Sequence, residues 1–205
     1  MNNITDVVKN LILINILIYF GTHFLMPEQS WIRLAMFYPT SEYFQPFQLV
    51  SHMFMHANPS HIFFNMFGLY MFGSPVEELW GPRRFLFFYL FTGFGALGLH
   101  LLVKYWELQH GGVSADAVNS PMLGASGAIF GVTVAYGMLF PENVIQLLLP
   151  PIPIKAKYFV FFFAALELFL GVSGYESGVA HFAHLGGALF GFLLIVYWRK
   201  FGTRL

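Results

Sequence analysis

No cysteine occurs in the 205 residues, so neither a disulfide framework nor a thiolate metal site is open to this chain. Charge is nearly as scarce: Asp, Glu, Lys and Arg make up 10% of the residues, and ten acidic side chains balance ten basic ones. That balance gives no ground for a nucleic-acid partner, and none is expected. Aspartate is confined to Asp6 and Asp116, which leaves little material for a Ser-His-Asp constellation. What fills the chain is apolar. Hydrophobic residues make up 57% and phenylalanine alone accounts for 26 positions, far outside the composition of soluble domains. The expected class is an all-α, multi-pass membrane protein of one domain, residues 1–205, needing no cofactor and no metal.

Hydropathy and punctuation place six spans, at about residues 7–25, 60–79, 85–103, 126–140, 158–172 and 179–198. The first has only Lys9 ahead of its apolar run and no small-residue cleavage site, so it reads as a retained helix rather than a signal peptide. The connection from Met26 to Ser60 mixes seven aromatic residues, from Trp31 to Phe54, with polar side chains, a composition suited to the headgroup level. Gly93, Gly95 and Gly98 mark close helix contacts in the third span, and a polar linker is expected over Lys104–Leu123. The loop from Ser173 to Gly178 holds two glycines and two serines and, with the fifth span, is expected to form a mobile gate. With the N-terminus inside, eight Lys/Arg residues fall on the inner side (Lys9, Arg83, Arg84, Lys155, Lys157, Arg199, Lys200, Arg204) against Arg33 and Lys104 outside. The expected orientation is therefore N-in and C-in. The second, fourth and sixth spans then all begin near the outer face.

The fourth span is short. From Gly127 to Phe140 it covers about 21 Å of a roughly 30 Å hydrocarbon core, so its Ser126 end lies roughly 9 Å below an interface. Exposed backbone N–H groups are tolerated at that depth only inside protein or beside a water-filled cavity. Ser126, set within Gly124-Ala125-Ser126-Gly127, is thus a candidate nucleophile, although a small residue in a close-packed helix contact would read the same way. His56, His61 and Asn65 at the start of the second span, and His181 and His184 at the start of the sixth, reach the same level. Hydrolysis needs a nucleophile, a base and donors for the developing oxyanion. Ser126, a neutral histidine and the Asn65 amide supply those types, and a Ser-His dyad is the economical arrangement. A rival reading, a metal-transport site built from His52, His56, His61, His181 and His184, lacks a carboxylate in the same layer: Glu77 and Glu78 fall at the other end of the second span, and Glu167 lies in the middle of the fifth, with no role assigned.

Three motifs carry a family resemblance. Gly124-Ala125-Ser126-Gly127 resembles the Gly-x-Ser-Gly motif of rhomboid intramembrane serine proteases. His56, His61 and Asn65 are similar to the family's histidines and asparagine around its second helix. Ala183-His184-Leu185-Gly186-Gly187-Ala188-Leu189-Phe190-Gly191 resembles its sixth-helix Ala-His-x-x-Gly-x-x-x-Gly motif. The resemblance implies Ser126 as nucleophile and His184 as base. It also implies an oxyanion hole from His56, Asn65 and the Ser126 backbone N–H, with Phe130 packed beside His184 and with His61, Gly124, Gly127, Gly187 and Gly191 in support. It further implies single-span transmembrane protein substrates met in the lipid bilayer, and the expected location is a bacterial cytoplasmic (inner) membrane. Where the family has Trp-Arg in its first outer loop, this chain has Phe47-Gln48. No seventh span or soluble appendage is expected. A relative without catalysis that binds membrane clients is the other class of protein with this pattern, but such relatives usually lack the serine or the histidine.

Helix phase separates the two histidines of the sixth span. At about 100° per residue, His184 lies roughly 20° from Gly191 and 60° from Gly187, whereas His181 lies roughly 80° and 120° away. The glycine stripe marks the face of closest approach, expected to meet Gly127 and Gly131. His184 shares that face and is the expected base.

Overall fold

A computed structural model describes residues 4–27, 31–110, 114–147, 151–173 and 181–202. Helix α1, Asp6–Phe20, continues through a π turn at Gly21–Leu25. Helix α2, Pro59–Gly68, starts on Asn58, whose side-chain oxygen accepts from the His61 N–H at 2.8 Å while Pro59 occupies the first turn. A π turn at Leu69–Gly73 leads into α3, Ser74–Trp80. Gly81, at φ 79°, ends the run, and Pro82 opens α4, Pro82–Gln109. This helix runs six residues beyond Val103, because Lys104–Gln109 contains neither glycine nor proline to stop it. Helix α5 is Ser126–Leu139, α6 is Ala156–Ser173 and α7 is His181–Lys200. A small antiparallel hairpin, β1 Val144–Gln146 with β2 Pro153–Lys155, joins α5 to α6 and pairs Ile145 with Ile154. Glu142 beside it accepts from Lys155 at 2.6 Å and Lys157 at 2.5 Å.

Among the described residues, four helices are long and apolar enough to cross a membrane: Asp6–Leu25, Pro82–Gln109, Ala156–Ser173 and His181–Lys200; Ser126–Leu139 is a shorter apolar helix. Their outward side chains stay apolar, with Leu17 69%, Phe161 76% and Val172 74% exposed. Such surface is costly in water and at home in lipid. The protein is an integral, multi-pass membrane protein.

Helix α5 packs against both α4 and α7, which also pack directly on each other, and small residues set the spacing. A Cβ on Gly187 would run into the carbonyl oxygen of Gly127, and one on Gly191 would lie 3.0 Å from the Gly131 Cα. On the α4 side Gly127 abuts Ala96 and Gly131 abuts Thr92. Backbones this close gain dense van der Waals packing, the main attraction available between helices in lipid.

The end of the bundle far from Ser126 is closed by two buried devices. Glu77 accepts from the Thr5 hydroxyl at 2.5 Å and from the Val7 and Val8 N–H groups at 3.0 and 2.9 Å, so a carboxylate on α3 caps the start of α1. The Arg84 guanidinium lies 4.1 Å from the ring centre of Trp198, tying the start of α4 to the end of α7.

Candidate active site

The loop ahead of α5 is held by the connection between α1 and α2. Met36 and Met122 exchange backbone hydrogen bonds, each 2.8 Å, and the Gly124 N–H donates to the His52 carbonyl at 2.9 Å. Gly124 turns at φ 125°, and a Cβ there would meet His61 Nε2 at 2.9 Å. Both the backbone angle and the neighbouring ring therefore require glycine. The turn delivers Ser126 as the first residue of α5. No side chain caps that terminus, and its first N–H groups have no partner within the helix.

Across the glycine contact, the Ser126 hydroxyl lies 2.7 Å from His184 Nε2. The His184 ring is stacked on Phe130, with centroids 4.4 Å and planes 4° apart. Ser126 and His184 are both half-buried, whereas His181 is buried and turned elsewhere: its Nδ1 donates to Glu167 Oε2 at 2.7 Å. The same oxygen is 2.9 Å from His184 Nδ1. That second contact is at ion-pair distance without the alignment of a hydrogen bond, so His184 Nδ1 counts as a buried nitrogen short of a partner.

On the other side of Ser126, the rings of His56 and His61 meet edge to face at 5.0 Å. His61 Nδ1 accepts from the Ala57 N–H at 3.3 Å, which leaves the proton on Nε2, the nitrogen beside Gly124. His56 is fully buried and neither ring nitrogen has a partner. Burial, with His61 nearby, lowers its pKa to about 3 against the opposing pull of the Phe54 backbone, so the ring is neutral at neutral pH and carries one N–H. The Asn65 amide donates one hydrogen to the His61 carbonyl at 2.8 Å and retains a second. His52 is different: its Nδ1 donates to the Gln48 carbonyl at 2.7 Å, and burial lowers its pKa to about 4. It lines, with Ser126, Gly124, Met122 and Ala183, a cavity of about 20 Å³, room for about one water molecule.

Two residues take on more than their sequence positions signalled. Glu167, read as lying away from the histidine layer, is in it. A Cβ on Gly171 would lie 3.2 Å from the His181 Cβ, so these two stand at one level; from there Glu167 is about 6 Å along α6 and His184 about 4.5 Å along α7, nearly the same depth. The absence of a carboxylate thus does not hold as an argument against a metal site. The signal was present, since a lone ionisable residue in an apolar helix is a functional candidate by default. The second is Gln48. Its Oε1 accepts from the Phe37 and Gln45 N–H groups at 3.3 and 3.1 Å, and its Nε2 donates to the Arg33 and Tyr43 carbonyls, both at 2.9 Å. Gln48 is fully buried and pins the first connection where the family pattern has arginine. Of the expected gate, the loop from Ser173 to Gly178 lies outside the described residues from 174 onward, and the fifth span is α6.

A multi-pass membrane protein whose short central helix opens on a serine paired with a histidine is the class that fold and site define. The family model described as the rhomboid domain matches residues 43–201, and the chain belongs to the rhomboid family. It is similar to Rhomboid protease AarA of Providencia stuartii, 29% identical over 149 residues, covering 70% of this chain and 53% of that protein. It is similar also to Rhomboid-like protein 11, chloroplastic, of Arabidopsis thaliana, 33% identical over 201 residues, covering 93% and 65%. A third relative is Presenilin-associated rhomboid-like protein A, mitochondrial, of Danio rerio, 34% identical over 158 residues, covering 74% and 39%. The chain spans 39% to 65% of the length of these relatives.

Proposed function

We propose that this protein is an intramembrane serine endopeptidase that hydrolyses peptide bonds of single-span transmembrane proteins near the outer membrane face. One observation carries the reading: the 2.7 Å contact between Ser126 Oγ and His184 Nε2. Ser126 Oγ adds to the scissile carbonyl carbon while its proton passes to His184 Nε2. The developing oxyanion is met by the free N–H groups at the start of α5, the neutral ring of His56 and the second amide hydrogen of Asn65. Collapse expels the amine, which takes the proton back from His184. Water then repeats the sequence on the acyl-enzyme, releasing the acid and restoring Ser126.

A six-span, N-in and C-in arrangement is supported by the Lys/Arg asymmetry and by the bonds that bring the start of α1, the end of α3 and the end of α7 to the side away from Ser126. A bacterial cytoplasmic membrane is the location we propose; one of the relatives comes from Providencia stuartii, while others are named as chloroplastic or mitochondrial. A client-binding role without catalysis finds no support in a site whose serine and histidine are in contact.

The test is cleavage of a model transmembrane substrate together with labelling by a fluorophosphonate. Ser126→Ala and His184→Ala are expected to abolish both, and the double variant to be no worse than either, since members of one unit are not additive. His56→Ala and Asn65→Ala are expected to lower turnover by about ten- to a thousandfold. His181→Ala is expected to keep substantial activity. Cleavage by Ser126→Ala would overturn the reading.

A further inference from the structure

We propose that Glu167 is a positioning residue for His184, extending the Ser126–His184 pair into a serine–histidine–carboxylate relay whose acid is supplied by a different helix, α6. The inference rests on the hydrolytic reading of Ser126 and His184. Its basis is a single oxygen, Glu167 Oε2, which lies 2.7 Å from His181 Nδ1 and 2.9 Å from His184 Nδ1 with side chains only 12%, 5% and 12% exposed.

A carboxylate at this depth persists only with donors around it. His181 answers with an aligned Nδ1 hydrogen bond, and His184 brings Nδ1 to 2.9 Å from the same oxygen, where the carboxylate favours the proton on that nitrogen. For His184 that choice leaves the Nε2 lone pair free, and Nε2 is the atom facing Ser126. The opposite tautomer would present an N–H to the hydroxyl and accept nothing from it. Phe130 fixes the plane of the ring, but a stacked face leaves the tautomer open. Glu167 decides it. His181 holds the carboxylate through the aligned hydrogen bond of the two contacts. The helices bring these groups together by close packing, since a Cβ on Gly171 of α6 would lie 3.2 Å from the His181 Cβ.

The three donor atoms lie within 4.8 Å of one another, close enough in composition and distance to hold a metal ion, but their spacing is that of hydrogen-bonded groups. Ligands of a tetrahedral zinc at about 2.0–2.1 Å stand about 3.3 Å apart. The two N···O separations here are hydrogen-bond lengths. The imperfect alignment at His184 fits a resting site, because catalytic hydrogen bonds tighten as charge develops. When the Ser126 proton reaches Nε2, the imidazolium presents its Nδ1–H to Glu167, which stays ionised. The proton then leaves from Nε2 to the departing amine.

The experiment uses the full chain in proteoliposomes and a transmembrane model substrate. Glu167→Gln is expected to lower kcat by about 10²- to 10⁴-fold with KM nearly unchanged and thermal stability retained, and to slow fluorophosphonate labelling in parallel. Glu167→Asp is expected to recover activity to within about tenfold of wild type, because the charge returns on a shorter stem. Nitrogen-15 NMR of histidine-labelled protein is expected to find His184 protonated on Nδ1 in the wild type and shifted toward the Nε2-protonated form in Glu167→Leu. Wild-type kcat in Glu167→Gln would overturn the proposal, as would a loss of activity that tracks a loss of stability and is not restored by Asp. If the wild type neither cleaves nor labels, the hydrolytic reading fails instead. In that event an unchanged His184 tautomer in Glu167→Leu would still overturn the positioning role.

Discussion

Phe130 lies flat on His184, their planes 4° apart, one turn beyond the serine that the histidine contacts. The ring therefore acts as a wall that removes one direction of imidazole motion, and stacked pairs of this kind contribute about 0.5–1.5 kcal/mol beyond buried area. Phe130→Ala is expected to lower kcat by about ten- to a hundredfold, the cost of no longer holding the proposed base in line. Phe130→Tyr keeps the wall and is expected to stay within about threefold of wild type. Equal loss in both variants, read from steady-state cleavage, would remove the wall as the explanation.

The glycines of α7 should divide sharply from a glycine of α4. A Cβ at Gly187 collides with the Gly127 carbonyl, whereas a Cβ at Gly98 meets nothing within 4 Å. Gly187→Ala must push α5 from α7, at a cost of about 1–3 kcal/mol or more, and part Ser126 from His184 in doing so. Gly98→Ala is expected to be neutral or to stabilise by about 0.5–1 kcal/mol, since a mid-helix glycine carries an entropic cost. Thermal unfolding in detergent separates the two. A stable, active Gly187→Ala protein would mean that α5 and α7 are not in this contact.

Gln48 satisfies four backbone groups from inside the first connection. Removing it strands two donors and two acceptors, for a loss of about 2–4 kcal/mol. Gln48→Ala is expected to open residues 31–58 to protease before the helices unfold. Gln48→Glu keeps the acceptors but loses both donors, so it should fall about halfway between. Limited proteolysis timed against thermal unfolding decides the matter, and no change in cleavage would demote Gln48 to a bystander.

Acid should loosen the same region. Burial holds His52 at a pKa of about 4 and His56 at about 3, below the ordinary value of 6.5 that each regains on unfolding. Between about pH 6.5 and pH 4 the unfolded chain therefore binds protons that the folded one refuses, and stability falls as pH falls. Melting temperature is expected to drop from pH 7 to pH 5, and His52→Asn or His56→Asn should flatten that drop. A slope identical to wild type in both variants would show that other groups carry it.

Much of the site is legible in the chain itself. The short span after Ser126, the glycine period that selects His184 over His181, and the small residues where α5 meets α7 all follow from spacing, because a helix converts sequence distance into angle and depth at fixed rates. The same reasoning misses Glu167, since neither depth nor phase on one helix says which neighbour it faces. It also leaves Gln48 without a role, since its four partners lie on irregular backbone that no periodicity describes.

The sequence by itself thus determined a membrane protein of apolar helices, with a serine and histidines at one level, since those properties belong to single segments and their composition. Only the tertiary structure decided that one carboxylate on α6 stands between His181 and His184, that Gln48 pins the first connection, and that Glu77 caps α1 from a distant helix. Each of those contacts joins segments far apart in the chain. Its distance is set by how the backbones pack, which the glycines of α5 and α7 permit but local sequence does not encode.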